Sequence, residues 1–120
     1  MYHISVSRKK DQLTGNLPLL ILSVLEEAPM HGYGIARAIE ARSADALKFG
    51  EGAIYPCLRK LEEDQLTAFT WDTTGNGPAK KVYELTPAGR EALAQSRTEW
   101  TEYVQIVNRV IHPAPVMDAL

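Results

Sequence analysis

The sequence lacks a second cysteine. Cys57 stands alone, so no internal disulfide can form, and the usage fits a reducing cytoplasm. It lacks a long apolar run. The longest stretch, Leu17 to Leu25, falls well short of the roughly 20 residues that span a bilayer. No small-residue cleavage pattern follows that stretch, and the residues before it are polar and basic, so no targeting segment is expected. Metal-ligand spacing is missing too. No cysteine, second histidine or carboxylate stands at ligand distance from His31, and His3 and His112 lie near the ends. The Gly75-Asn76-Gly77 tract has neither the Lys-Ser/Thr nor the strand-to-helix setting of a phosphate loop, and reads as a turn. Nothing places Ser, His and Asp in a triad. Neither an enzyme nor a cofactor is expected. Finally, no charge dominates: 13 Lys and Arg face 15 Asp and Glu, a net charge of −2.

What is present suits one soluble domain plus an extra element. An apolar fraction of 45% and a charged fraction of 23% allow a core without staples. The charges are unevenly spread, which matters more than their sum. Arg8, Lys9 and Lys10 precede any acid. From Glu84 onward Glu84, Glu91, Glu99, Glu102 and Asp118 stand against Arg90, Arg97 and Arg109. One side suited to an anionic partner and another suited to a protein partner fits this pattern.

The order of elements follows from periodicity. Leu17, Leu20, Ile21, Val24 and Leu25 keep three- and four-residue spacing, with Asn16 as N-cap and Pro18 in the first turn. Ala28-Pro29 closes that helix. A second helix follows Met30-His31-Gly32-Tyr33-Gly34 and runs to Arg42, with Ile35 and Ile39 inward. Residues 43–50 read as a loop anchored by Leu47 and Phe49. A third helix spans 51–64 on the stripe Ile54, Leu58, Leu61. The period then changes from 3.6 to 2. Residues 66–72 and 80–85 read as the strands of a hairpin with a long Gly- and Asn-rich tip. Thr86-Pro87 opens a last helix that Pro113 stops, with the near-heptad seam Leu93, Trp100, Val104, Val107 and Ile111. The expected fold is mainly α with a small β-hairpin. It is a winged helix-turn-helix over 13–86, with a dimerisation helix over 87–112, a basic arm at 1–12 and a frayed tail at 113–120.

Three blocks carry a family resemblance. They are Pro29-Met30-His31-Gly32-Tyr33-Gly34-Ile35, then Gly52-Ala53-Ile54-Tyr55-Pro56-Cys57-Leu58-Arg59-Lys60-Leu61-Glu62, then Gly77-Pro78-Ala79-Lys80-Lys81-Val82-Tyr83-Glu84-Leu85-Thr86 with Gly89. In this order and spacing the chain resembles the PadR family of bacterial transcriptional regulators, in its compact branch with one C-terminal helix. The resemblance implies a homodimer that binds double-stranded DNA, with Tyr55 on the DNA backbone, and a possible small-molecule effector. Three departures stand out. The family usually has Ser or Thr at Ala53, Gly at Gln65 and often Arg at Ala79.

The third helix, as the recognition helix, would lie in the major groove. Gly52 and Ala53 keep its N-terminus slim, so backbone N–H groups can approach a phosphate. Tyr55 offers a hydroxyl, and Arg59 and Lys60 reach phosphates or a guanine edge. Lys80 and Lys81 alternate in facing, so only one is expected to meet the duplex. Arg8, Lys9 and Lys10 form a candidate basic arm. Trp100, with Tyr103 and Trp71 as candidate neighbours, is the candidate platform for a flat aromatic effector. His31 is expected to cap or brace the second helix, and Cys57 to pack as a small hydrophobe. The function expected is a cytoplasmic, homodimeric repressor on a near-palindromic operator. The other reading is a winged-helix module that contacts proteins and not DNA.

Overall fold

The structure, a computed structural model, describes residues 15–115. Arg8, Lys9, Lys10 and the rest of the expected arm lie outside the described residues, as does the tail beyond Pro115. The elements run α1 (Leu17–Leu25), β1 (Met30–His31), α2 (Gly32–Arg42), α3 (Glu51–Glu63), β2 (Thr67–Asp72), β3 (Lys80–Leu85) and α4 (Pro87–Ile111). No described helix is long and apolar enough to cross a membrane.

Helix α1 is apolar on most sides because it is central. Leu17, Ile21, Leu22, Val24 and Leu25 are all buried, against α2, α3, α4 and β3. Pro18 sits in its first turn, where no intrahelical bond is lost. Ile35 and Ile39 of α2 and Ile54, Leu58 and Leu61 of α3 close the same core. Leu47 and Phe49 anchor the loop between those helices against it. Leu58 is fully buried, and truncating such a side chain to Ala costs about 2–5 kcal/mol.

Two helix ends use a left-handed residue that is not glycine. At the end of α3, Gln65 N–H donates to Glu62 O at 3.0 Å and Leu66 N–H to Leu61 O at 2.9 Å, with Gln65 at φ 62°. At the end of α2, Ala44 N–H donates to Ala41 O at 3.1 Å and Asp45 N–H to Glu40 O at 2.9 Å, with Ala44 at φ 51°. Both are Schellman closures, a geometry in which glycine avoids the Cβ clash. The family's usual glycine at position 65 therefore has a physical reason that this chain overrides.

The hairpin is joined by a strand that periodicity does not reveal. Met30 and His31 pair antiparallel with Tyr83 and Val82, giving the sheet order β1-β3-β2. Two residues are too few to show alternation. Helix α2 also starts three residues earlier than a reading of Gly32-Tyr33-Gly34 as a loop allows. Pro56 lies well inside α3, as the helix read over 51–64 requires. Its ring removes the donor that Gly52 O would otherwise receive, and glycine at that position eases the ring's approach.

Thr86 caps α4. Its hydroxyl accepts from Gly89 N–H at 3.0 Å and donates to Gln65 O at 2.7 Å. Gly89 lies against the same corner, where an added Cβ would stand 1.9 Å from Leu66 O. Leu93, buried at 1% exposure, is part of this chain's own core. Leu93 therefore does not belong to the exposed seam expected of it. The open part of the seam starts further on, past Arg97, the residue through which α4 still reaches Glu26 and Ser23.

Candidate nucleic-acid interface

The outer face of α3 and the inner face of the hairpin form one concavity of about 750 Å³. Tyr33, Tyr55, Arg59, Trp71, Lys80 and Lys81 line it together with the acids Glu51 and Glu62. The arrangement follows from two periods. The buried stripe of α3 at Ile54, Leu58 and Leu61 turns Tyr55 and Arg59 outward. On the hairpin, period 2 puts Phe69, Trp71, Lys81 and Tyr83 on the face toward α3. Asp72 and Lys80 are register partners at the strand ends, where Lys80 still borders the concavity.

Tyr55 is 40% exposed and rests on Gly32, whose hypothetical Cβ would lie 2.8 Å from Cε1 and 2.9 Å from the hydroxyl oxygen. Any side chain at Gly32 displaces that ring. Tyr33, 69% exposed, extends the same surface and was not anticipated as a site residue. Its signal was present in the His31-Gly32-Tyr33 block, but a tyrosine inside a motif does not show which way it points.

The cations divide into two classes. Arg59 and Lys80 make no ion pair among the described residues. Lys60 is paired with Asp64 at 3.2 Å, one turn on, and does not line the concavity. Lys81 Nζ lies 3.6 Å from Glu62 Oε1 and 4.1 Å from the centre of the Phe69 ring. At the start of α3, Gly52 faces open space. Ala53 differs from its expected role: it packs partly against the core, and its N–H already donates to Gly50 O at 3.1 Å.

His31 stands at the N-cap of α2 but makes no side-chain cap hydrogen bond. Its Nε2 instead meets Asp72 Oδ2 at 3.0 Å, bridging across the sheet to the end of β2. Hydrogen bonds from the Thr74 hydroxyl and N–H, joined by His31, hold the Asp72 carboxyl down at about 2. Burial pushes the Cys57 thiol up, away from the reactive thiolate. No group of three or more potential metal ligands exists among the described residues.

A second surface lies on α4. Trp100 is 43% exposed, and Tyr103, Ile106, Val110 and Ile111 are more exposed still. Val104 and Val107 are half-buried on the same helix. Trp100, Tyr103, Val107 and Val110 follow 3-4-3 spacing, so the exposed stripe includes residues beyond the expected seam. Trp100 and Tyr103 rings are 6.0 Å apart, whereas Trp71 is on the wing, in edge contact with Phe69 at 5.5 Å. Trp71 is thus not a neighbour of Trp100. Open grooves of about 600 Å³ and 410 Å³ flank Trp100, both bordered by Asn16 and Leu19 of the α1 end.

The model of the PadR-like family of transcriptional regulators matches residues 21–95. The chain belongs to that family. The transcriptional regulator Rv3488 of Mycobacterium tuberculosis is 32% identical over 89 residues, 74% of this chain and 79% of that protein. A 37.1 kDa protein in a Streptomyces fradiae transposon is 39% identical over 80 residues, 67% of this chain. The chain spans only 21% of the length of that protein, and 39% of that of the transcriptional regulator YqjI of Escherichia coli. Among solved structures, a PadR family transcriptional regulator from Eggerthella lenta superposes with a TM-score of 0.78 at 27% identity, covering 91% of this chain and 94% of that one. The PadR fold is thereby established, and the family is one of regulators, not of enzymes.

Proposed function

We propose that this PadR-family protein is a cytoplasmic homodimeric repressor that binds a near-palindromic operator through α3 and the wing. The observation that carries the reading is that Arg59 and Lys80, which make no ion pair among the described residues, stand beside the exposed Tyr55 on one concave face. Arg59 reads a base edge or phosphate, Tyr55 and Lys80 hold the backbone, and the open N–H groups at Glu51 and Gly52 face a phosphate. Two copies joined through α4 present two recognition helices about one helical turn of DNA apart, roughly 34 Å or a multiple of it.

The test is duplex binding across a salt series, with duplexes selected from a random pool. Affinity should fall steeply with salt as counterions compete. Arg59→Ala should cost about 1–3 kcal/mol. If Tyr55→Phe with Arg59→Ala leaves affinity intact, the assigned face is wrong. The two carboxylates in the same concavity, Glu51 and Glu62, favour the other reading, a protein-binding module. That reading requires no duplex binding at any salt.

Trp100 and its flanking grooves support a flat aromatic effector near the dimer axis. A ligand there alters the angle between the two α4 helices and hence the spacing of the recognition helices. In a Trp71→Phe variant, planar aromatics should quench Trp100 saturably and weaken duplex binding over the same range. Quenching without any change in affinity would make Trp100 a packing residue only.

A further inference from the structure

Of the two wing lysines, Lys81 is the better placed by facing but the worse placed by energy. Its Nζ is 3.6 Å from Glu62 Oε1, a buried carboxylate oxygen with no hydrogen-bond partner among the described residues. A buried charge without a partner is costly. Drawing Lys81 out to a phosphate would leave that oxygen unpaired. The same ammonium lies 4.1 Å from the Phe69 ring centre and 5.8 Å from that of Trp71, a cation–π site that departure would also empty. Phe69 and Trp71 meet edge to face at 5.5 Å, so both rings belong to the one cluster. Glu62 is on α3 and the other three are on the hairpin, so the cluster crosses from recognition helix to wing. Lys80, one residue away at the strand end, borders the same concavity, is exposed and makes no ion pair among the described residues.

We propose that Lys81 is a positioning residue that locks the wing to α3 through Glu62 and Phe69, and that Lys80 is the lysine contacting phosphate. This rests on the DNA-binding reading above and refines it. The lock sets the angle between two elements that must meet the duplex together. Each partner therefore matters for affinity without touching DNA.

The experiment measures duplex affinity at several salt concentrations for wild type, Lys80→Ala, Lys81→Met, Lys81→Arg, Glu62→Gln and the Lys81→Met/Glu62→Gln double variant. Lys80→Ala should reduce the salt slope by about one unit. Lys81→Met keeps most of the apolar stem and should lower affinity by about tenfold with the slope unchanged. Lys81→Arg, which retains both contacts, should restore it. Glu62→Gln is decisive because it removes a negative charge from the face. Plain electrostatics expects tighter binding, whereas the lock requires weaker binding, with the double variant no worse than the weaker single one. Tighter binding by Glu62→Gln, or a slope lowered by one unit in Lys81→Met, overturns the proposal, as does wild-type behaviour of both.

A readout without DNA separates the lock from the function. In a Trp100→Phe background, Trp71 is the sole tryptophan, and its anisotropy should drop in Lys81→Met and in Glu62→Gln. A drop in a protein that binds no duplex at any salt defeats the DNA-binding reading and leaves the lock. Unchanged anisotropy defeats the lock whatever the duplex result.

Discussion

Two stretches of this chain carry apolar stripes of similar helical period and opposite fate. From Leu17 to Leu93 the stripes meet: α1, α2, α3, the sheet and the first turns of α4 enclose one core. From Trp100 to Ile111 the stripe is largely open among the described residues, and Tyr103, Ile106, Val110 and Ile111 are each more than half exposed. The difference teaches that period identifies which face of a helix is apolar but not what covers it. In the first stretch the cover is the same chain. In the second the cover most in keeping with a 3-4-3 stripe is a second copy, packed about a two-fold axis.

The largest test of that contrast is a charge in the open stripe. Val107→Glu should give a monomer mass by light scattering, with a helical spectrum little changed. Its affinity for a two-half-site duplex should fall by about 10²–10⁴-fold, because the second recognition helix is no longer tethered. A dimer mass for this variant would mean the stripe has another use. A smaller loss should come at the corner joining the two stretches. Gly89→Ala places a Cβ 1.9 Å from the Leu66 carbonyl oxygen, where backbone must move. Overpacking of that kind costs about 3 kcal/mol, which urea unfolding measures directly. Wild-type stability in this variant would show that α4 pivots freely at its start.

Much of this was legible because the informative signals were long or chemically specific. The three helices of the core, the hairpin and the Thr86-Pro87 start of α4 each rest on several residues that agree. The two-residue strand at Met30 and His31 was not legible, since it exists only through pairing with Val82 and Tyr83. Leu93 was assigned to the seam because it is in phase with Trp100, yet it lies where α4 still touches α1 and β3. For the site, Tyr55, Arg59 and Lys80 are exposed at one concavity, while the choice between Lys80 and Lys81 was left open by their alternation. The pairing of Lys60 with Asp64 has the i,i+4 spacing that the sequence displays, whereas that of Lys81 with Glu62 was hidden, because it joins residues far apart in the chain.

Gln65 makes the comparison finer, since it closes α3 just before the corner at Gly89. A non-glycine residue in the left-handed region costs about 1–2 kcal/mol. Gln65→Gly relieves that but adds freedom to the unfolded chain. The net expectation is a gain of about 0.5–1 kcal/mol in urea unfolding, with duplex binding unchanged. A loss of stability would mean the Gln65 side chain contributes a contact worth more than the strain.

The smallest effect lies at the ion pair between the two stretches. Arg97 of α4 reaches back to α1, donating to Glu26 at 3.1 and 2.9 Å and to the Ser23 hydroxyl at 3.2 Å. The Arg97 hydrogen bonds hold the Glu26 carboxyl below its ordinary 4.5, with help from the charges of Arg97, Arg90 and Arg42. A depressed carboxylate favours the folded state above its unfolded value and loses that advantage as pH falls through its folded value. The gap in melting temperature between wild type and Arg97→Gln should therefore be fully open near neutrality. It should close as the solution is acidified below about pH 4.5, the ordinary value. Both side chains are nearly half exposed, so salt should shrink the gap at any pH. Asp72, on the wing and held at about 2, obeys the same sign but should keep its contribution until the pH falls below about 3.8. Asp72→Asn and Arg97→Gln compared over one acid series thus report on the closed stretch and on its junction separately. A gap for Arg97→Gln that widens on acidification would break the assignment of Glu26 as its partner, and with it the fixed angle at which α4 leaves the domain.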